Sequence, residues 1–178
     1  MAGAVFINGE NVDLVTIEEE DIEWMRDNIN DPEIRAYTSG RYPVNMKQER
    51  EFFEKSVSSG DNKVHLMISQ DGERKGVISL MNINKERGNA EIGLWISSDE
   101  QGKGIGSEAS RLMTDYGFKE LRLHRIYARV FEHNPRSARV WEKLGYQEEG
   151  LMREHDFIDG EYMDLRIYGI LREEWEQR

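Results

Sequence analysis

Apolar residues recur along this chain at two periods, and the switches between them mark out its elements. VDLVTI (12–17) alternates like a short strand, and Ile22, Met25 and Ile29 follow at helical spacing. Beyond a loop containing Pro32, Gly40 and Pro43, Asn45 with Gln48 three residues on forms a capping-box pattern. It predicts a helix carrying Phe52, Phe53 and Val57, stopped by Gly60-Asp61-Asn62. Three strand-like runs come next: KVHLMISQ (63–70), KGVISLMNIN (75–84) and AEIGLWIS (90–97). Turns at Asp71-Gly72 and Gly88-Asn89 separate them, as in an antiparallel meander. Ile105, Ala109, Leu112 and Tyr116 then fall on one face of a helix beginning near residue 104. HRIYARVF (124–131) alternates as a strand. Asn134 caps a following helix with Pro135 at its first position, and Gly145 suits a left-handed exit. YQEEGLMREHDFI and EYMDLRIYGIL, joined at Asp159-Gly160, close the pattern as a hairpin.

This order predicts an α+β fold, a mixed twisted sheet of about seven strands with helices on both faces. The length, 178 residues, suits one domain over 1–178, and no repeat, low-complexity tract or linker divides it. No apolar run approaches the roughly 20 residues that span a bilayer, and MAGAVFINGENVDL lacks the basic start and long apolar stretch of a signal peptide. A cytoplasmic protein without membrane contact is expected. The chain has no cysteine, and its histidines (His65, His124, His133, His155) lack ligand-like spacing, so no metal is expected.

The net charge of -11 argues against a nucleic-acid partner. It is unevenly spread. Residues 101–146 hold nine Lys and Arg against five Asp and Glu, a local +4 that leaves -15 on the remainder. An anionic ligand favours that segment and a cationic one the rest, where the null assumption is charge serving solubility.

Candidate chemistry gathers where strand 90–97 runs into Gln101-Gly102-Lys103-Gly104-Ile105-Gly106-Ser107. Glycines at 102, 104 and 106 clear side chains from the backbone, and the helix start supplies unpaired N–H groups and a positive dipole end. Such a turn cradles phosphate oxygens, or it simply makes a tight turn. The spacing matches neither the Rossmann fingerprint nor the P-loop.

The loop does fit the Q/R-x-x-G-x-G/A motif of the GNAT acetyltransferases, filled by Gln101, Gly104 and Gly106. AEIGLWI (90–96), LHRIYARV (123–130), NPRSARVWEKLGY (134–146) and the closing EGLMRE…FIDGEYMD extend the resemblance over about residues 75–170. They resemble the branch holding the Rim-type ribosomal-protein and the spermidine acetyltransferases. The resemblance implies the GNAT fold and acetyl-coenzyme A as acetyl donor. It implies that the pyrophosphate lies on Gln101, Gly102, Lys103, Gly104, Ile105, Gly106 and Ser107. The pantetheine arm would run beside strand 90–97, splayed there from strand 124–131, held by backbone groups near Trp95, Ile96 and Ser97. Asn134 matches a position that contacts that arm, and it equally caps its helix.

An alkyl amine with pKa about 10.4 is protonated at neutral pH and must lose a proton before it attacks a thioester. Glu91 is the candidate base: alternation sets it on one face with Gly93 and Trp95, and family members place a glutamate there. The alternative is a surface glutamate on a half-exposed strand. For the departing thiolate, many relatives carry a tyrosine where this chain has Trp141, whose indole N–H is no acid. Ser137, one turn earlier, is the candidate hydroxyl, against a structural role in the first helical turn; Tyr127, Tyr146 and Tyr162 are weaker donors by position.

The resemblance thus implies acetyl transfer to a primary amine, a protein N-terminus or small amine, by direct attack in a ternary complex. A polyamine acceptor is the alternative, and a non-catalytic acyl-CoA-binding module a third reading. Acidic residues from Glu18 to Glu23, with Asp31 and Glu33, suit a cationic acceptor or a solvated helix face. A homodimer is a family expectation.

Overall fold

A computed structural model describes residues 3–59 and 61–178. The stop expected at Gly60 therefore lies outside the described residues. The strands are β1 (Val5–Ile7), β2 (Asp13–Val15), β3 (Val64–Gln70), β4 (Glu73–Asn84), β5 (Asn89–Ile96), β6 (Arg125–Phe131), β7 (Gln147–Ile158) and β8 (Glu161–Leu171). The α-helices are α1 (Ile22–Asn30), α2 (Pro32–Arg35), α3 (Met46–Phe52), α4 (Ile105–Lys119), α5 (Pro135–Lys143) and α6 (Arg172–Glu176). The sheet order is β1-β2-β3-β4-β5-β6-β8-β7, with β5 and β6 parallel and β6, β8 and β7 antiparallel in turn.

Eight strands stand where about seven were expected. The addition is β1, whose three residues are too few for alternation to register; it forms by pairing antiparallel with β2, Val5 opposite Val15. Two compact units divide the fold, residues 1–79 with 94–112, and residues 80–93 with 113–178.

In the first unit, Val15, Ile17, Met25, Met67 and Val77 form a buried cluster joined by Trp24, Phe53, Val57 and Trp95. Trp95 stacks on Trp24 of α1 with ring centroids 5.4 Å apart. Its neighbours Leu94 and Ile96 point the other way, toward α4: a Cβ on Gly106 would lie 3.2 Å from Leu94 Cδ1. Strand alternation thus gives β5 a helix on each face. The capping box at Asn45 is present, Asn45 Oδ1 accepting from Gln48 N–H at 3.1 Å while Gln48 Oε1 accepts from Asn45 N–H at 2.9 Å. The expected helix through Val57 changes pitch after Phe52: Phe53–Val57 is a π turn, in which Ser58 N–H reaches back five residues to Phe53 O.

In the second unit, β7 and β8 form the predicted hairpin, and Asp159 (φ 50°) and Gly160 (φ 89°) give it a turn with two left-handed residues. Phe131, Ile158, Leu165 and Met163 pack beside that turn. Asn134 caps α5, and Gly145 (φ 81°) ends it as Tyr146 N–H bonds Trp141 O.

Candidate functional site

The first unit carries the glycine loop. Ser97 N–H donates to Lys75 O at 2.9 Å, tying the end of β5 to β4. Ser98–Glu100 form a single 3-10 turn. Gly102 (φ 79°) and Gly104 (φ 84°) are both left-handed, a backbone state that an L side chain resists, and a Cβ on either would meet nothing within 4 Å. The glycines therefore serve the path of the chain and leave an open side. Helix α4 starts directly afterwards, where the N–H groups of Ile105 and Gly106 have no intrahelical acceptor. These residues fit a diphosphate: bare backbone, amides without an intrahelical acceptor and a positive dipole end.

Two expectations in this loop are modified. Because Ser97 N–H is committed to Lys75 O, any contribution of Ser97 to a ligand falls to its other atoms, and its Oγ is buried without a hydrogen-bond partner among the described residues. Lys103 does not stand alone either: Glu100 accepts from Lys75 Nζ at 2.9 Å and from Lys103 Nζ at 2.8 Å. Hydrogen bonds from Lys103 and then Lys75 hold the Glu100 carboxyl below its ordinary range, and the bond to Glu100 raises Lys75 in return. Beside the loop lies an open cavity of about 370 Å³, where Asp27, Asp31, Glu73, Asp99 and Glu100 outnumber Arg74 and Lys75.

Glu91 lies in the second unit. It is 6% exposed, so it is not the surface residue of a half-exposed strand. Its Oε1 accepts from Arg129 Nε at 2.7 Å and its Oε2 from Asn82 Nδ2 at 3.3 Å. It occupies the last rung of the parallel ladder, opposite Tyr127; the ladder begins at Asn89 opposite Arg125 and runs three residues. Sequence reasoning missed Arg129 and Asn82. Arg129 registered only as local charge, and Asn82, with φ 53°, is a polar break inside an apolar run.

The alternative proton donors weaken on inspection. Burial, then the nearby Glu91 charge, raises the Tyr127 phenol. Burial raises Tyr146 much further, and its hydroxyl is engaged with Thr114 at 2.8 Å. Ser137 is better placed. Its N–H donates to Asn134 Oδ1 at 3.1 Å, and Trp141 Nε1–H donates to its Oγ at 3.2 Å. The tryptophan that replaces an acid in the sequence is 1% exposed and fills one acceptor site of that hydroxyl, leaving its proton to point elsewhere.

A family model described as an acetyltransferase (GNAT) domain matches residues 11–147. A putative ribosomal N-acetyltransferase of Bacillus subtilis, YdaF, is 37% identical over 115 residues, 65% of this chain and 63% of that protein. The spermidine N(1)-acetyltransferase of Escherichia coli is 28% identical over 155 residues, 87% of this chain and 83% of that protein. Among solved structures, spermidine N-acetyltransferase from Vibrio cholerae in complex with CoA and spermine superimposes with TM-score 0.89 at 25% identity, covering 94% of this chain and 99% of that one.

Proposed function

Since the chain belongs to the GNAT acetyltransferase family, and so is an acetyl-CoA-dependent N-acetyltransferase, we propose that it acetylates a small cationic primary amine by direct attack on the thioester. The left-handed glycine pair feeding the N-terminus of α4 carries this reading, because it supplies bare amides for the diphosphate of the donor. In this reading Gln101 to Ser107 hold the diphosphate, and Trp95, Ile96, Ser97 and Asn134 line the course of the pantetheine arm. Glu91 receives the amine proton through water, and Ser137 donates a hydrogen bond to the departing sulfur.

The acidic cavity and the relatives that act on spermidine favour a polyamine over a protein N-terminus. One domain is inferred, since β4, β5 and α4 each contribute residues to both units. A homodimer is inferred from Leu151, Met152 and Phe157, exposed on β7, the last strand of the sheet. No helix among the described residues is long and apolar enough to cross a membrane, which accords with a cytoplasmic site of action.

Coenzyme A at 100 times its dissociation constant should stabilise the protein by about 2.7 kcal/mol, read as a rise in Tm. With acetyl-CoA and a panel of amines, thiol release should depend on amine. A thermal shift without any amine-dependent release identifies a binding module, and no shift at all removes the loop from donor binding. Ser137→Ala should lower kcat about tenfold, the worth of one hydrogen bond to a charged atom. If turnover by the folded variant is unchanged, the hydroxyl has no part in thiolate departure.

A further inference from the structure

The turn between β1 and β2 is bonded to the first turn of α4, and both belong to the first unit. Glu108, on α4, joins them. Its Oε1 accepts from the N–H groups of Glu10 at 2.7 Å and Asn11 at 2.9 Å, and its Oε2 accepts from Asn11 Nδ2 at 2.9 Å. Gly9 permits the approach: a Cβ there would lie 2.0 Å from Val12 O, 2.8 Å from Glu108 Oε1 and 2.9 Å from Leu112 Cδ1. Gly9 N–H donates to Asp13 Oδ1 at 3.1 Å, which fixes the turn to the start of β2. Partial burial pushes the Glu108 carboxyl up, but the bonds from Asn11 and Glu10 outweigh it, and the group stays below its ordinary range and charged.

A carboxylate at this place conflicts with anion binding by the same helix end. Glu108 N–H shares Gly104 O with Ser107 N–H, so Glu108 belongs to the turn that carries the amides of Ile105 and Gly106. Helical side chains lean toward the N-terminus of their helix, which directs a carboxylate at 108 toward those amides. By itself an acidic group in the first turn favours the helix, because it meets the positive dipole end. A diphosphate arriving at that end would meet its repulsion instead. The three N–H donors of residues 10 and 11 disperse the charge and draw the side chain to the β1–β2 turn.

We propose that Glu108 is a positioning residue for the acetyl donor: the turn at residues 9–11 holds its charge aside and so leaves the N-terminus of α4 open to the diphosphate. This rests on the donor-binding reading of the glycine loop. A turn 97 positions away in the chain then governs how tightly the donor binds, while the acetyl-transfer step itself is untouched.

The test uses the full chain, with coenzyme A as the calorimetric probe and acetyl-CoA with spermidine for kinetics. Asn11→Asp sets a second carboxylate against Glu108 at an exposed position. It should raise the Kd for coenzyme A and the KM for acetyl-CoA about tenfold, the worth of one hydrogen bond to a charged atom. Because only donor binding is affected, kcat should stay within about twofold. Added salt should narrow the ratio of variant to wild-type Kd, since like charges at a surface are screened. Gly9→Val, which prises the turn from α4, should weaken coenzyme A binding at least as much. Adding Glu108→Gln to Gly9→Val should restore most of the affinity, because the undispersed charge is gone although the turn stays detached. A purely structural brace predicts neither the salt effect nor the recovery. Asn11→Asp changes nothing buried, so it decides the matter even if Gly9→Val does not fold by circular dichroism. Unchanged coenzyme A Kd in folded Asn11→Asp, or no recovery in the folded double variant, overturns the proposal. Wild type that ignores coenzyme A overturns the donor reading of the glycine loop itself, a failure visible without any variant.

Discussion

Replacing Glu91 by glutamine should lower kcat by about 10²- to 10⁴-fold, the usual contribution of a general base, with the affinity for coenzyme A nearly unchanged. The reasoning starts from the acceptor. An alkylammonium with pKa about 10.4 has no lone pair at neutral pH, so the reaction waits on proton removal. Glutamine keeps the length and shape of the side chain, and its one amide oxygen still accepts from Arg129, while its NH2 group replaces the oxygen that accepts from Asn82. What it loses is the capacity to take a proton. The loss should therefore appear in kcat and kcat/KM together, as for an interaction made in the transition state. Steady-state kinetics over a pH range, with calorimetry for coenzyme A, checks this: raising the pH supplies more neutral amine and should narrow the gap between variant and wild type. Equal turnover at neutral pH in a folded variant would take Glu91 out of the mechanism. Arg129 separates two meanings of the ion pair. If it only orients Glu91, Arg129→Lys should cost much less than Glu91→Gln, since lysine keeps the charge although it loses the planar fork.

The elements with many periodic residues were legible in the chain. Ile105, Ala109 and Leu112 of α4 are buried as their spacing required, and both two-residue hairpin turns, at Asp71-Gly72 and Asp159-Gly160, have the left-handed pair such turns need. The capping patterns at Asn45 and Asn134 were equally readable, because a cap is a local bond between residues three apart. Hidden features depended on distant partners. Strand β1 exists only through β2, and the π turn after Phe52 looks helical in sequence because one added residue per turn barely moves an apolar stripe. Glu91 could be named from the sequence as a candidate, but its burial could not: Arg129 lies 38 positions away and reaches it only through the register of β5 beside β6. Trp141 was read as the loss of an acid. Its bond to Ser137 follows from i, i+4 spacing on α5, and that signal was available in the sequence.

Valine at Gly104 should weaken coenzyme A binding by about a hundredfold or more. Gly104 sits at φ 84°, and a β-branched residue held there costs about 1–3 kcal/mol in backbone strain. The protein can relieve that strain only by moving the turn, and Gly104 O is the acceptor for Ser107 N–H at 3.1 Å and Glu108 N–H at 3.2 Å, so moving it disturbs the first turn of α4. The amides of Ile105 and Gly106 would then lose their aim. Hydrogen bonds to a charged phosphate are worth about 1.5–3 kcal/mol each, so losing one or two accounts for the predicted factor. A Cβ at 104 meets no protein atom within 4 Å, and it projects instead into the open side of the loop, the side proposed here for the diphosphate. The hydrophobic contacts of α4 lie at Ile105, Ala109 and Leu112 and are untouched, so the variant should remain folded by circular dichroism while its calorimetric Kd for coenzyme A rises. Alanine at the same position separates strain from occlusion. It pays the left-handed backbone cost with little bulk and should fall between glycine and valine. A folded Gly104→Val variant with wild-type affinity would mean that the donor phosphates rest on some other part of the chain.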